Sequence, residues 1–356
     1  MPRSLPRRYR LLGALLLGAV TACSDTATPP PDDGFDASQL LSDVANDVIF
    51  PTYQDLELKA EALNAAVVSL AADVSDPNLE AAREAWRATR RPWEQSEGFL
   101  FGPVETEGID PSIDSWPVNV ADLDAVLASG DPLTKESIDG LEGTLKGFHT
   151  IEYLLFGSSG TKAAAELTPR ELEYLDAVTQ SLVGAVGQLR AAWDPAAENF
   201  SGTLATAGQA GNAVYTSQSQ ALQEVVNGLV VICDEVGNGK ISDPFDQQDR
   251  SLEESQFSNN SNADFADNIR SVRNVYLGEY TGHSGVGVQE LVLARDPALD
   301  ATVLSQIDAA IAAIGNMTPT FGEAITSNPA AVEAARSAVG ALRQTLESQV
   351  LPLTTQ

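Results

Sequence analysis

What most constrains this chain is a set of apolar stripes spaced for helices. Leu56, Ala60, Leu63, Val67, Leu70 and Val74 recur at alternating steps of four and three, the period of a helix with one buried face. Leu172, Leu175, Leu182, Val186, Leu189 and Trp193 draw a second stripe, and Val214, Ala221, Val225, Leu229, Ile232 and Val236 a third. Leu304, Ile307, Ile311 and Ile314 make a fourth, and Val332, Ala335, Val339, Leu342, Leu346 and Val350 a fifth. No stretch sustains the period-two alternation of a half-buried strand. Five such stripes predict an all-α protein of two packed helical-bundle domains. The boundary is placed in Asp194–Gly211, where Pro, Gly and Asn separate two strong helical patterns, giving a first bundle over 36–200 and a second over 201–356.

The residues before 36 belong to neither bundle. Arg3, Arg7, Arg8 and Arg10 precede an apolar run, Leu11 to Val20, of ten residues. A bilayer span needs roughly 20 apolar residues, so this run suits the core of a secretory signal instead. Val20-Thr21-Ala22-Cys23 closes it and resembles a bacterial lipobox. Residues 1–23 thus read as a lipoprotein signal peptide and Cys23 as the lipidated residue. The following residues, 24–35, are polar and proline-rich and read as a flexible tether. The expected location is the bacterial cell envelope, facing the periplasm, with a lipid membrane as the partner of the anchor. Ser24, in place of an inner-membrane-retaining aspartate, leans towards the outer membrane.

Removing the signal leaves 17 Lys and Arg against 50 Asp and Glu, a net charge of about −33. A surface that acidic repels phosphate backbones, and nucleic acid is excluded as a partner. With Cys23 lipidated, Cys233 is the one cysteine left, so no internal disulfide or thiolate cluster is available. Any metal must be held by His and carboxylates.

Histidine is scarce, and that concentrates the chemistry. Of the two in the chain, His283 sits in a glycine-rich turn and reads as a surface residue. His149 stands three before Glu152, so the two share one helical face, as the Glu-x-x-His pairs of di-iron bundles do. Glu94 and Glu97 repeat the spacing on another predicted helix. If the helices face one another, three carboxylates and one imidazole converge, a donor set for iron, zinc or manganese. The same residues are compatible with a capped surface histidine and a solvated acidic face paired to Arg90 or Arg91. Two segments rich in Gly, Pro, Asp, Asn and Ser, Phe101–Pro117 and Gly237–Asn262, read as long functional loops. Zinc-protease templates fit poorly. H-E-x-x-H is absent, and Tyr153 stands where an inverted H-x-x-E-H would place its second histidine.

Gly147-Phe148-His149-Thr150-Ile151-Glu152 matches the G-x-H-x-x-E signature of the imelysin family, bacterial envelope proteins also called insulin-cleaving metalloproteinases or iron-regulated proteins. Arg90–Pro103, Ile113–Pro117, Asn238–Ile241 and Glu254–Gly278 resemble further blocks of that family. The resemblance spans about residues 90 to 280. It implies a two-domain helical fold with the H-x-x-E helix in the first bundle and a cleft near the junction. It also implies a role in iron uptake, with Glu94 and Glu97 matching an E-x-x-E element of a related ferrous-uptake component. Asp114 is implied as a neighbour of the metal, and Arg90 as a residue that orients a carboxylate.

Two functions are therefore expected. One is a lipid-anchored factor that binds a divalent or ferric metal, iron foremost, through His149, Glu152, Glu94 and Glu97, and passes it to an iron transporter. The other is a zinc metallopeptidase in which His149, Glu152 and one glutamate hold zinc while the other activates water. A scaffold with a vestigial site is the third possibility.

Overall fold

The computed structural model describes residues 34–355. The signal peptide, Cys23 and nearly all of the tether lie outside the described residues. Within them the chain is all-α, save a two-residue antiparallel pairing of β1 (Glu279–Tyr280) with β2 (His283–Ser284). Four helices close a first ring: α1 (Phe50–Ala72), α2 (Asp76–Glu94), α3 (Gly147–Phe156) and α4 (Pro169–Trp193), each packed on the next and α4 on α1. A second ring follows in α5 (Gln218–Asp234), α6 (Ser261–Leu277), α7 (Pro297–Gly315) and α8 (Pro329–Thr345). The segment Asp194–Gly211 forms the connection between α4 and α5, with one short helix, Phe200–Ala205, inside it. The rings meet where α6 lies on α2, and the apolar core runs through both without a break.

The expected stripes supply part of the interior. Leu56, Ala60, Leu63, Val67 and Leu70 are fully buried, as are Leu175, Leu182, Val186, Leu189 and Trp193 on the helix they meet. The misses fall at helix ends. Val74 is exposed because Asp73 leaves the helix in an extended conformation and Ser75-Asp76-Pro77 opens the next one. Val214 is exposed because α5 starts only at Gln218, capped by the Ser217 hydroxyl. In α7 the buried line is Val303, Ile307, Ala310 and Ile314, with Leu304 and Ile311 half-buried on its flank. Entry to α4 is fixed by a reciprocal cap between Thr168 and Glu171, with Pro169 as its first residue.

Both expected loops carry more order than their composition predicts. Phe101–Pro117 holds two single-turn helices, Pro103–Thr106 and Asp110–Ile113, anchored by buried Val104, Ile109 and Ile113. Gly237–Asn262 begins inside a helix. A wide π-turn, Glu235–Ile241, continues α5 and runs into Ser242–Gln247. Val236 and Ile241 are buried where this turn lies along α8, so apolar packing overrides the low helix propensity of Gly237 and Gly239.

Candidate metal centre

Charged residues from both rings are buried at the junction. Pro92 lies inside the last turn of α2, which ends at Glu94 with Gln95 as its cap. The chain then makes a separate tight turn, Glu97–Phe99. Glu94 and Glu97 are therefore not successive positions of one continuous helix, as their spacing predicts. They are nonetheless held side by side, because Nδ2 of Asn268 on α6 donates to Glu94 Oε2 at 2.6 Å and to Glu97 Oε2 at 2.8 Å.

Arg90, one turn earlier on α2, is fully buried. Its guanidinium reaches Asp114 at 2.6 Å, Glu254 at 3.0 Å and Asp264 at 3.5 Å, and pairs with Glu94 as well. Lys240, brought in by the π-turn, lies 2.7 Å from Glu97, 3.1 Å from Glu254 and 3.6 Å from Glu94. Arg90 and Lys240 thus face five carboxylates, with little solvent to screen them.

His149 lies on α3 with Nε2 3.1 Å from Asp114 Oδ1 and Nδ1 3.3 Å from Glu152 Oε2. The glycine of the motif explains the first contact. Gly147 has φ of +76°, and a Cβ there would run into the Ile113 carbonyl. Glycine lets the start of α3 close on the Ile113-Asp114 backbone, and Asp114 then sits beside His149. Asp114 is also fixed by Trp93 Nε1 at 2.5 Å. Glu152 turns its other oxygen away, accepting from the Phe257 amide at 3.1 Å and from the Ser258 amide and hydroxyl at 2.8 and 2.7 Å.

Of the expected ligands, Glu94 and Glu97 share one group with Asp114 and Glu254, their donor atoms all within 4.8 Å of one another. His149 shares a second group with Asp114 and Glu254. Glu152 belongs to neither and occupies the outer position behind His149, the place of a carboxylate that orients a metal-binding imidazole. Asp114 is a member of both groups, and Arg90 touches both. Residue spacing alone missed Glu254, Lys240, Asp264 and Asn268. Their signal was weak: they fall in blocks that resemble the imelysin family, but charged residues in such segments read as solvated. His283 is half-exposed in the hairpin, 3.8 Å from Asp47.

The electrostatics follow from burial. Desolvation drives the Glu94 and Glu97 carboxyls well above the usual range, against the pull of Arg90 and Lys240, and pushes Asp264 up to about 6. Asp114 goes the other way. Burial opposes its charge, but Arg90 and His149 outweigh that and hold it well below the ordinary carboxylate value. Burial by itself favours a neutral His149, yet the charge and hydrogen bond of Asp114 push it up to about 10. Burial thus favours the neutral forms of Glu94 and Glu97. Glu254 Oε2 is buried without a hydrogen-bond partner, while its Oε1 meets Arg90 and Lys240. Carboxylates and one imidazole around such an acceptor suit a hard or borderline cation.

The sequence model described as Imelysin matches residues 49–349. Iron-regulated protein A of Synechococcus elongatus is 31% identical over 361 residues, covering 98% of this chain and 95% of that protein. The crystal structure of an iron-regulated protein A precursor from Parabacteroides distasonis superposes with a TM-score of 0.79 at 28% identity, over 90% of this chain and 95% of that one. An imelysin-like protein from Psychrobacter arcticum gives a TM-score of 0.71 at 15% identity, over 90% and 96% of the two chains, a likeness of fold.

Proposed function

This chain belongs to the imelysin family, and from that premise we propose that it is a metal-binding protein of the bacterial envelope whose cargo is iron, ferrous or ferric. Asp114 and Glu254, common to both groups, would hold the ion, with His149 on one side and Glu94 and Glu97 on the other, and Glu152 would orient His149 through Nδ1. The observation that carries this reading is the partnerless, buried Glu254 Oε2 in a cluster with more carboxylates than cations. A bound ion would supply the missing partner and favour the ionised forms of Glu94 and Glu97 that burial disfavours. That a 31%-identical relative is called iron-regulated supports iron as the cargo.

Zinc hydrolysis is the alternative. It asks for a carboxylate free to activate water. Glu94 is engaged by Arg90 and Asn268, and Glu97 by Lys240 and Asn268, which favours binding over turnover. The anchor belongs to the same proposal: Cys23 lipidation would tether the protein to a membrane, the outer one by the leaning of Ser24, within reach of an iron transporter. Metabolic labelling with a fatty acid tests it, since Cys23→Ser would lose the label.

Calorimetric titration of the metal-free mature protein with ferrous, ferric, zinc and manganese ions tests the site. Binding that His149→Ala and Glu254→Gln both weaken is the expected result. Binding that neither variant alters would falsify the assignment and place the ion elsewhere.

A further inference from the structure

Lys240 stands out as the cation that the second ring brings to the junction, from a π-turn instead of a regular helix. Its ammonium lies 2.7 Å from Glu97 Oε2, 3.1 Å from Glu254 Oε1 and 3.6 Å from Glu94 Oε2. Those three residues, with Asp114, form the carboxylate group whose donor atoms lie within 4.8 Å of one another. A metal drawing on that group would stand about 2.0–2.2 Å from each ligating oxygen. Two cations cannot share so small a space. Resting on the metal-binding reading above, we propose that Lys240 is a tethered counter-cation: its ammonium holds the place between Glu94, Glu97 and Glu254 that a metal takes, and loading the centre expels it.

Arg90 does not serve this way. It is fully buried, paired with four carboxylates, and its guanidinium lies 5.1 Å from the Phe148 ring centroid and 5.9 Å from that of Trp86. It is a fixed wall of the site. Lys240 carries its charge on a flexible four-carbon stem and keeps 11% of its side chain in contact with solvent. Glu235, at the start of the same π-turn, is half-exposed and 3.9 Å from the ammonium. The expelled group has an acceptor waiting towards solvent.

Two consequences distinguish a lock from a structural ion pair. A metal must displace the same ammonium whatever its identity, so Lys240 weakens every metal by a common factor and sets a threshold without setting a preference. A monovalent ion matches the charge of the ammonium but lacks its tether, and so loses the competition to the high local concentration of the lysine.

The test uses the mature wild-type protein, an acylating reagent for free amines, and mass spectrometry of each lysine, with and without saturating manganese or zinc. Lys240 is expected to resist acylation in the metal-free protein and to react about tenfold faster or more once metal is bound. Lys59 and Lys135 on the surface are expected not to change. Titrations of Lys240→Met and Lys240→Arg complete it: the methionine variant is expected to bind manganese and zinc about tenfold or more tightly by the same factor for both, and the arginine variant to stay near wild type. If metal binds, weakens with His149→Ala, and leaves Lys240 protected, the lock is overturned and the metal site stands. If neither wild type nor any variant binds metal, both fall. Should Lys240→Met not fold, the acylation of the wild type decides.

Discussion

The α1–α4 interface and the ring junction are equally dry and are held together by opposite means. In the first, Leu56, Leu63 and Leu70 meet Leu175, Leu182 and Leu189, all fully buried and each stabilised by contact alone. In the second, Arg90, Glu94, His149 and Asp264 are as well buried, and none is stable there without the others. Both are built from one set of helices: α2 buries Leu79, Ala82 and Trp86 in the apolar core and, one turn on, Arg90 and Glu94 in the junction. Apolar burial is additive and forgiving. Charged burial is a network whose parts are worth little separately, so this much of it in one place marks function more than stability.

The sharpest way to break that comparison is to remove one large side chain from each region. Arg90→Met is expected to destabilise by about 3–5 kcal/mol near neutral pH, because four carboxylates lose their shared cation. Leu63→Ala should cost about 2–5 kcal/mol through a cavity. The sizes overlap; the pH dependence does not. Without Arg90, the already raised Glu94 and Asp264 lose the cation that opposes their shift, and Asp114 loses the largest of the charges that hold it down, so stability is retained at low pH and lost as pH rises. Urea unfolding at several pH values should show the Arg90 defect shrinking towards acid and the Leu63 defect holding constant. A constant Arg90 defect would mean that the guanidinium acts there as a packing group.

The same contrast explains what the sequence could reveal. An apolar stripe repeats, and repetition is readable: the all-α class and the buried faces of α1, α4, α5 and α8 follow from it. Its errors, Val74 and Val214, come from Asp73 and Ser217, single residues that end or start a helix off the period. A charged network has no period. His149, Glu152, Glu94 and Glu97 were visible by scarcity and spacing, and Arg90 and Asp114 through the resemblance. Glu254, Lys240, Asp264 and Asn268 become neighbours of these only when α6 docks on α2, a contact no local pattern encodes. The helix ends at Glu94, and Glu97 opens a separate turn that the Glu94–Glu97 spacing does not suggest.

Gly147→Ala sharpens the comparison at the join of backbone and network. A left-handed φ disfavours alanine by roughly 1–2 kcal/mol, and the added methyl meets the Ile113 carbonyl, so a total near 2–3 kcal/mol is expected. Because relief of that clash moves Asp114 away from His149, metal affinity should fall with stability. A variant that loses stability but binds metal as before would show that the Ile113-Asp114 backbone does not position the site.

Asp110 tests how far the junction's negative field extends. Burial, with Asp114 nearby, pushes its carboxyl up to about 7. Between its ordinary value, about 4, and 7, the folded protein binds a proton that the unfolded chain has released, so stability falls as pH rises through that window and levels above it. Asp110→Asn removes the penalty. A gain of roughly 1–3 kcal/mol at pH 8, vanishing near pH 4, is expected in thermal or urea unfolding. An equal gain at both pH values would trace the effect to packing.

The smallest effect belongs to the other histidine, and it isolates what the junction contributes. His283 and His149 both lie near a carboxylate, Asp47 at 3.8 Å and Asp114 at 3.1 Å. His283 is half-exposed on a two-residue strand, where solvent screens its partner, whereas His149 is buried between Asp114 and Glu152. If proximity of imidazole to carboxylate were enough to make a metal site, the two would behave alike. His283→Ala is expected to change stability by no more than about 0.5 kcal/mol and to leave metal affinity unmoved, while His149→Ala abolishes tight binding. Loss of binding in His283→Ala would relocate the centre to the hairpin and leave the buried junction as a purely structural network.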